Sequence, residues 1–317
     1  MRDFVGGAQF AELQVDPFDA RAVRDQIIDY ARRLSKNARF GINLTGGTKM
    51  MFAGALYAAR AIGAIPFYFE DRKVTFLDTF SRAPIKSIDS IETFLKINSN
   101  GLQISDDNRL KPSLTTDRRS LTDKLWSWSG RKDFNKLYEK LKKYLDNTRP
   151  FDFPIEYNGF VFNLTNAGQA TAKGHGLDLT FDDWNFAKYL SGGWFEEYVY
   201  LQCEPHERSG VIKDLRINVE LTMESGGKQQ NKISDNIYNE LDVVFTDGYS
   251  LHIVECKTGA VKQDQVSKLK NLVRFCGGVR GQGIFASCLQ TKSKVVQKKI
   301  SDAGLTHWYG NSIIRAC

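Results

Sequence analysis

Apolar positions along the chain change their spacing several times, and each change marks an element. From Leu215 to Met223 they alternate with polar ones, the period of a strand with one face packed. Two nearly continuous apolar runs follow, Leu241 to Phe245 and Leu251 to Val254, separated by Asp247-Gly248. Asp-Gly between strand-like runs is a strong hairpin signal, because both residues tolerate positive φ. A helical spacing precedes this block at Gly193 to Leu201 and returns from about Gln263 to Cys276. A strand at Gly283 to Ser287, a helix from Lys294 to Ala303 and a strand from Leu305 to Tyr309 complete the series. The order is therefore αβββαβ, followed by one more helix and strand.

The hairpin carries acids where apolar residues are expected. With Asp247 and Gly248 as the two turn residues, Asp242 faces Ile253, and Asp242, Glu255 and Lys257 project to one side. Two carboxylates and an ammonium on one face are costly to bury unless they pair or bind a cation. Hard oxygen ligands from Asp242 and Glu255 suit Mg²⁺ or Mn²⁺, with Cys256 packing on the opposite face. Lys257 is placed to orient or deprotonate a water, or to stabilise charge on a phosphate. The competing reading is a salt-bridged surface hairpin. A turn that shifted parity by one would separate the acids.

Asp242, then about a dozen residues, then Glu255-Cys256-Lys257 resembles the PD-(D/E)XK nuclease motif, and αβββαβ is the core typical of that superfamily. The resemblance implies a supporting acid on the first core helix directly after an aromatic residue. Glu196 follows Phe195 and is the preferred candidate; Glu197 competes, since the helix rotation is uncertain by one position. On the next helix Gln265 and Lys268 face either the scissile phosphate or solvent.

Near the start, Asn43-Leu44-Thr45-Gly46-Gly47-Thr48-Lys49 joins a strand to an Ala-rich helix running to Ile62. Paired glycines let backbone N–H groups approach an anion at the helix N-terminus, and Thr45, Thr48 and Lys49 offer further donors. The spacing is not that of a Walker A loop. An ordinary tight βα connection is the alternative. The wording resembles CARF domains, the Rossmann-like sensors of cyclic oligoadenylate in type III CRISPR defence, which bind the ring across a homodimer. Together with the downstream motif, the chain resembles CARF nucleases in which that messenger switches on metal-dependent cleavage. The resemblance makes Thr45, Gly46, Gly47, Thr48 and Lys49 messenger-binding candidates, with cyclic tetra-adenylate the expected ring. Before this loop stand a short strand around Leu13 to Val15 and a helix from about Pro17 to Leu34 capped by Asp16, so the sensor reads as shortened.

The expected organisation is thus α/β: a shortened Rossmann-like CARF domain over 1–80, a connecting module over 81–183, and an αβββαβ restriction-endonuclease-like domain over 184–317. In the module, Ile88 to Ile97 reads as a helix, Phe160 to Leu164 as a strand and Asn166 to Gly176 as a loop. Trp126 and Trp128 anchor packing or stack on bases. The 317 residues accommodate two cores, and a net charge of +7 suits a phosphate-rich partner. Basic residues are densest over Arg131 to Leu145, an amphipathic helix by spacing, with a second patch at Lys292, Lys294, Lys298 and Lys299. No apolar stretch reaches membrane-spanning length, and no secretory signal pattern opens the chain, so a cytoplasmic location is expected. Five cysteines without Cys-X-X-Cys spacing argue against a disulfide framework or a zinc cluster. The expected activity is a metal-dependent nuclease acting on DNA, RNA or both, single strands preferred, regulated as a homodimer by cyclic oligoadenylate. A constitutive restriction- or repair-type nuclease with a vestigial sensor, and a non-catalytic nucleotide-responsive binding protein, are the alternatives.

Overall fold

The computed structural model describes residues 13–34, 38–70, 72–99, 101–105, 115–129, 131, 154–164, 170–181, 189–223, 237–310 and 312–313. The chain divides into two compact units, 1–87 and 88–317. The basic segment 132–145 lies outside the described residues.

In the first unit, α1 (Ala20–Arg32) is followed by β1 (Gly41–Asn43), α2 (Lys49–Ile62), β2 (Ile65–Glu70), β3 (Lys73–Phe76) and β4 (Arg82–Pro84). β1 and β2 run parallel, with Gly41 opposite Ile65 and Asn43 opposite Phe67. The helical crossover between parallel strands makes this a Rossmann-like βαβ unit. β2, β3 and β4 continue the sheet antiparallel. Val23, Leu44 and Ala55 form the centre of the small core. At Gly54 an added Cβ would lie 2.3 Å from the carbonyl oxygen of Ala20, so glycine permits the close crossing of α1 and α2.

Two expectations change here. Residues 13–16 form no strand, and the first helix begins at Ala20 because Asp19, not Asp16, caps it. The Asp19 side chain accepts from the N–H groups of Arg21 and Ala22. Asp16 instead closes the turn before it, accepting from Phe18 N at 2.9 Å.

The second unit is built on a six-stranded sheet in the order β14-β13-β12-β11-β10-β5. Its elements are α3 (Ile91–Asn98), β5 (Leu102–Ile104), α4 (Thr116–Trp128), β6 (Ile155–Tyr157), β7 (Phe160–Leu164), β8 (Ala170–Gly174) and β9 (Leu177–Phe181). Then come α5 (Trp194–Arg208), β10 (Lys213–Met223), β11 (Ile237–Thr246), β12 (Leu251–Lys257), α6 (Gln263–Gly277), β13 (Gly281–Ser287), α7 (Lys294–Asp302) and β14 (Thr306–Tyr309). The αβββαβ order expected from the apolar spacing is present from α5 to β13, with α7 and β14 after it.

Two apolar cores cover the two faces of this sheet. One joins Val243, Val254, Cys256, Ile284 and Ala286 to α4 and α5. The other joins Val244, Ile253 and Phe285 to α3, α6 and α7. Much of the segment read as a connecting module is thus built into this unit. α3 supplies Ile91, Phe94 and Leu95 to the second core, and β5 pairs antiparallel with the end of β10. Where a loop was expected at 166–176, residues 170–174 form β8, the third strand of an antiparallel meander β6-β7-β8-β9. The small residues Ala170, Thr171 and Ala172 hide a strand whose partners supply the bulk, with Phe160 and Phe162 buried on β7.

Trp126 stacks on Tyr198 with ring centroids 4.2 Å apart, and Trp128 meets Phe160 edge-on at 5.4 Å. Both tryptophans therefore pack the fold. α4 is also tied to α5 by two guanidinium–carboxylate pairs, Arg118–Glu197 and Arg119–Glu204. Arg119 donates to Glu204 at 2.8 and 3.1 Å, and this, with Arg208, lowers the Glu204 carboxyl to about 2. A depressed acid stabilises the fold above its unfolded value and loses that contribution as pH falls toward 2. Glu204→Gln is accordingly expected to flatten the acid side of a melting-temperature-versus-pH curve between roughly pH 5 and pH 2.

Candidate active site

The β11–β12 hairpin sets the site, and its turn is longer than Asp-Gly alone. Thr246 pairs with Leu251, leaving Asp247 to Ser250 as the loop. The Asp247 carboxylate accepts from Tyr249 N at 2.9 Å and Ser250 N at 2.7 Å, and Thr246 Oγ1 accepts from Gly248 N at 2.9 Å. This side-chain-closed turn shifts the expected register by two residues. A shift of two keeps parity, so the acids are not separated. With Val244 opposite Ile253 and Val243 opposite Val254, Asp242 lies past the end of the ladder, on the Glu255 side of Val254 rather than opposite Ile253.

The last pair of this ladder is Val243–Val254. Beyond it Asp242 Oδ2 takes the place of a backbone carbonyl and accepts from Cys256 N at 2.7 Å. Asp242 also marks a change of side: Leu241 packs in the core under α3 and α6, while Val243 packs in the core under α5. Burial, followed by the charges of Glu196 and Glu255, raises the Asp242 carboxyl well above the usual carboxylate range; Lys257 and the Cys256 N–H oppose the shift.

Lys257 Nζ lies 2.6 Å from Glu255 Oε1. Burial alone would lower its ammonium, but Glu255 and Asp242 outweigh that and raise it. Lys257 is therefore held as a cation, suited to stabilising anionic charge rather than to removing a proton.

The first turn of α5 carries both candidate acids, and they are placed differently. Glu197 is 3% exposed and is bound by the Arg118 guanidinium through both carboxylate oxygens, one of them at 3.0 Å. Burial raises its carboxyl and Arg118 opposes the rise. Arg118 also stands over the Tyr189 ring at 4.8 Å, whose hydroxyl meets Thr122 Oγ1 at 2.8 Å. Glu196 instead is the first charge acting on Asp242. Arg118 was not singled out in the sequence; a basic residue on a polar-looking helix carries no signal of an inward partner.

Gln265 and Lys268 serve α6 itself. Gln265 Oε1 accepts from Lys262 N at 2.8 Å at the helix start, and Lys268 pairs with Asp264 on the exposed face. Lys292, Lys294 and Lys298 are exposed.

In the first unit, the βα loop is fixed by its own side chains. Asn43 Oδ1 accepts from Thr45 N at 3.0 Å and from Thr45 Oγ1 at 2.6 Å, while Thr45 Oγ1 accepts from Phe69 N at 2.9 Å. Thr48 caps α2 by accepting from Met51 N and donates its hydroxyl hydrogen to the Pro17 carbonyl. The hydroxyl hydrogen of Thr45 is thus engaged within the loop and that of Thr48 at the Pro17 carbonyl. Gly47 has φ +94° and lies against Met51, whereas a Cβ on Gly46 would meet nothing within 4 Å, so the loop is open at Gly46. Lys49 is exposed beside them at the first position of the helix.

Residues 183–306 match the family model for the Card1-like endonuclease domain. The match covers less than half of the chain and makes the protein a nuclease similar to this domain over that segment. Can2 from Sulfobacillus thermosulfidooxidans, solved in complex with cyclic tetra-adenylate, superposes with a TM-score of 0.67 at 19% identity. That superposition covers 96% of this chain and 81% of Can2. Protein VC1899 from Vibrio cholerae gives a TM-score of 0.66 at 17% identity, over 93% of this chain and 78% of its own. The chain accordingly shares the mixed α/β fold of these two structures. None of the curated proteins matches the chain. Glu196, Asp242, Glu255 and Lys257 all fall within the Card1-like domain.

Among the described residues, no three His, Cys, Asp or Glu side chains already stand close enough to share a metal ion. The donor chemistry nevertheless fits a hard divalent cation: Asp242 is a carboxylate raised by burial and then by the charges of Glu196 and Glu255, an environment that a bound cation would relieve. Among the described residues, no helix is long and apolar enough to cross a membrane.

Proposed function

We propose that this protein is a divalent-cation-dependent nuclease of type III CRISPR defence, activated by cyclic oligoadenylate. The observation that carries the reading is Asp242 anchored by the Cys256 N–H among the charges of Glu196, Glu255 and Lys257, with Lys257 held as a cation, inside a segment that matches the Card1-like endonuclease domain. Asp242 and Glu255 would hold Mg²⁺ or Mn²⁺, supported by Glu196. The cation supplies an activated water and neutralises phosphate charge. Asp242 is fixed by the Cys256 N–H, and Glu255 sets the Lys257 ammonium at 2.6 Å, where it stabilises the oxyanion of the scissile phosphate. The substrate is DNA, RNA or both, with single strands preferred because an electropositive groove accepts any sequence.

The activator site is the loop from Thr45 to Lys49. Its likeness in fold to Can2, a structure that holds cyclic tetra-adenylate, supports that ring as the ligand, bound by a homodimer. Gly46 and Gly47 let backbone N–H groups reach a phosphate, and Lys49 adds its charge. Lys49→Ala is expected to raise the cyclic tetra-adenylate concentration needed for half-maximal cleavage by about 10- to 100-fold, the loss of one charged hydrogen bond.

The decisive assay is cleavage of labelled single-stranded and duplex DNA and RNA with Mn²⁺, with and without cyclic tetra-adenylate. Cleavage that requires both supports the reading. Full-rate cleavage without the ring would make the enzyme constitutive, and no cleavage under any condition would leave a nucleotide-responsive binder.

A further inference from the structure

Asn218 on β10 combines two unfavourable features at one position. Its backbone is left-handed, φ +52°, within a strand, and its side-chain Oδ1 is buried with no hydrogen-bond partner. A buried acceptor without a donor and a left-handed non-glycine backbone are each destabilising. Neither cost serves the packing: Ile217 enters the core under α5 and Val219 the core under α3 and α6, while Asn218 belongs to neither.

The position is informative. Ile217 pairs with Val243 and Val219 with Leu241, which sets Asn218 directly opposite Asp242. Both strands change sides at this one pair, so an amide and a carboxylate meet where the two strands switch cores. Simple alternation along Leu215 to Leu221 conceals this, because it assigns Asn218 to a solvent face with Arg216 and Glu220.

We infer that the Asn218 side-chain oxygen is a further donor to the divalent cation held by Asp242 and Glu255, an inference that rests on the proposed nuclease reading. An amide oxygen is a hard, neutral ligand, so it adds coordination without adding negative charge beside Asp242 and Glu255. Asparagine is also, after glycine, the residue that best tolerates the left-handed backbone.

The test is Mn²⁺ binding to the metal-free full chain by titration calorimetry, alongside its melting temperature without metal. Asn218→Gly suits the backbone and removes the oxygen. It is expected to leave the metal-free melting temperature unchanged or higher while weakening Mn²⁺ binding by about 10- to 100-fold. Asn218→Asp restores an oxygen and is expected to bind Mn²⁺ at least as tightly as the wild type. Unchanged affinity in the glycine variant, an aspartate variant as weak as the glycine one, or an affinity loss matched by a fall in metal-free melting temperature would each overturn the inference. Asp242→Ala measured in parallel separates the two levels: if it still abolishes binding, only the role of Asn218 has failed. If the wild type itself binds no Mn²⁺, both fail.

Discussion

Asp242→Asn is expected to lower cleavage by about a thousandfold or more and, in the same protein without metal, to raise the melting temperature. The first effect follows from removing a charged ligand, since a metal contributes several kcal/mol to the transition state and each 1.36 kcal/mol is about tenfold in rate. The second follows from the raised Asp242 carboxyl. Because the folded chain holds this proton more tightly than an unfolded one, stability falls as pH rises from the ordinary carboxylate range, near about 4, through the raised folded value. Asparagine carries no such group and can still accept the Cys256 N–H through its amide oxygen. Each kcal/mol relieved corresponds to about 2–4 °C for a unit of this size. The check is scanning calorimetry of both proteins at acid and neutral pH without divalent ions, together with a cleavage assay. A variant that loses activity yet melts lower at neutral pH would contradict the account. The wild type should also bind Mn²⁺ more tightly as pH rises, because proton and cation compete for one carboxylate.

Arg118→Ala should be strongly destabilising, by about 3–5 kcal/mol, because it leaves the Glu197 carboxylate buried without its guanidinium. Glu197→Leu in that background should recover much of the loss, since an apolar pair can replace a buried ion pair of similar volume. Urea unfolding of the wild type, both single variants and the double variant measures this directly. Arg119→Ala, whose partner Glu204 lies nearer the surface, should cost only about 1 kcal/mol. A cost for Arg118→Ala no larger than that would show that the pair contributes little. The ion pair has a functional side as well. It sets the rotation of α5, and with Glu197 turned toward α4, Glu196 is left to act on Asp242.

The order of elements was legible because apolar spacing alone separates α5, β10, β11, β12, α6 and β13. The acids were legible because charge inside an apolar run demands a partner. The register was not, since Asp247 closes a four-residue loop through its own carboxylate, which the Asp-Gly signal does not distinguish from a two-residue turn. The choice between Glu196 and Glu197 lay in Arg118, about eighty residues earlier, where periodicity carries no information. Asn218 was hidden for a related reason: alternation counts residues on a regular strand and cannot register a left-handed one. In the βα loop the bonds from Thr45 to Asn43 and from Thr48 to the Pro17 carbonyl could not be read from the Thr-Gly-Gly-Thr pattern.

β5 bears on how the catalytic half can be isolated. Three residues from a segment eighty positions before the Card1-like match form the outer margin of the sheet, and the helix just ahead of them shields Val219 and Leu221. A fragment trimmed to 183–306 would bare the N–H and C=O groups of β10 and an oily patch where Ile91, Phe94 and Leu95 had been. Such a fragment should clump or recruit stray strands, whereas a cut near residue 88 keeps that flank sealed.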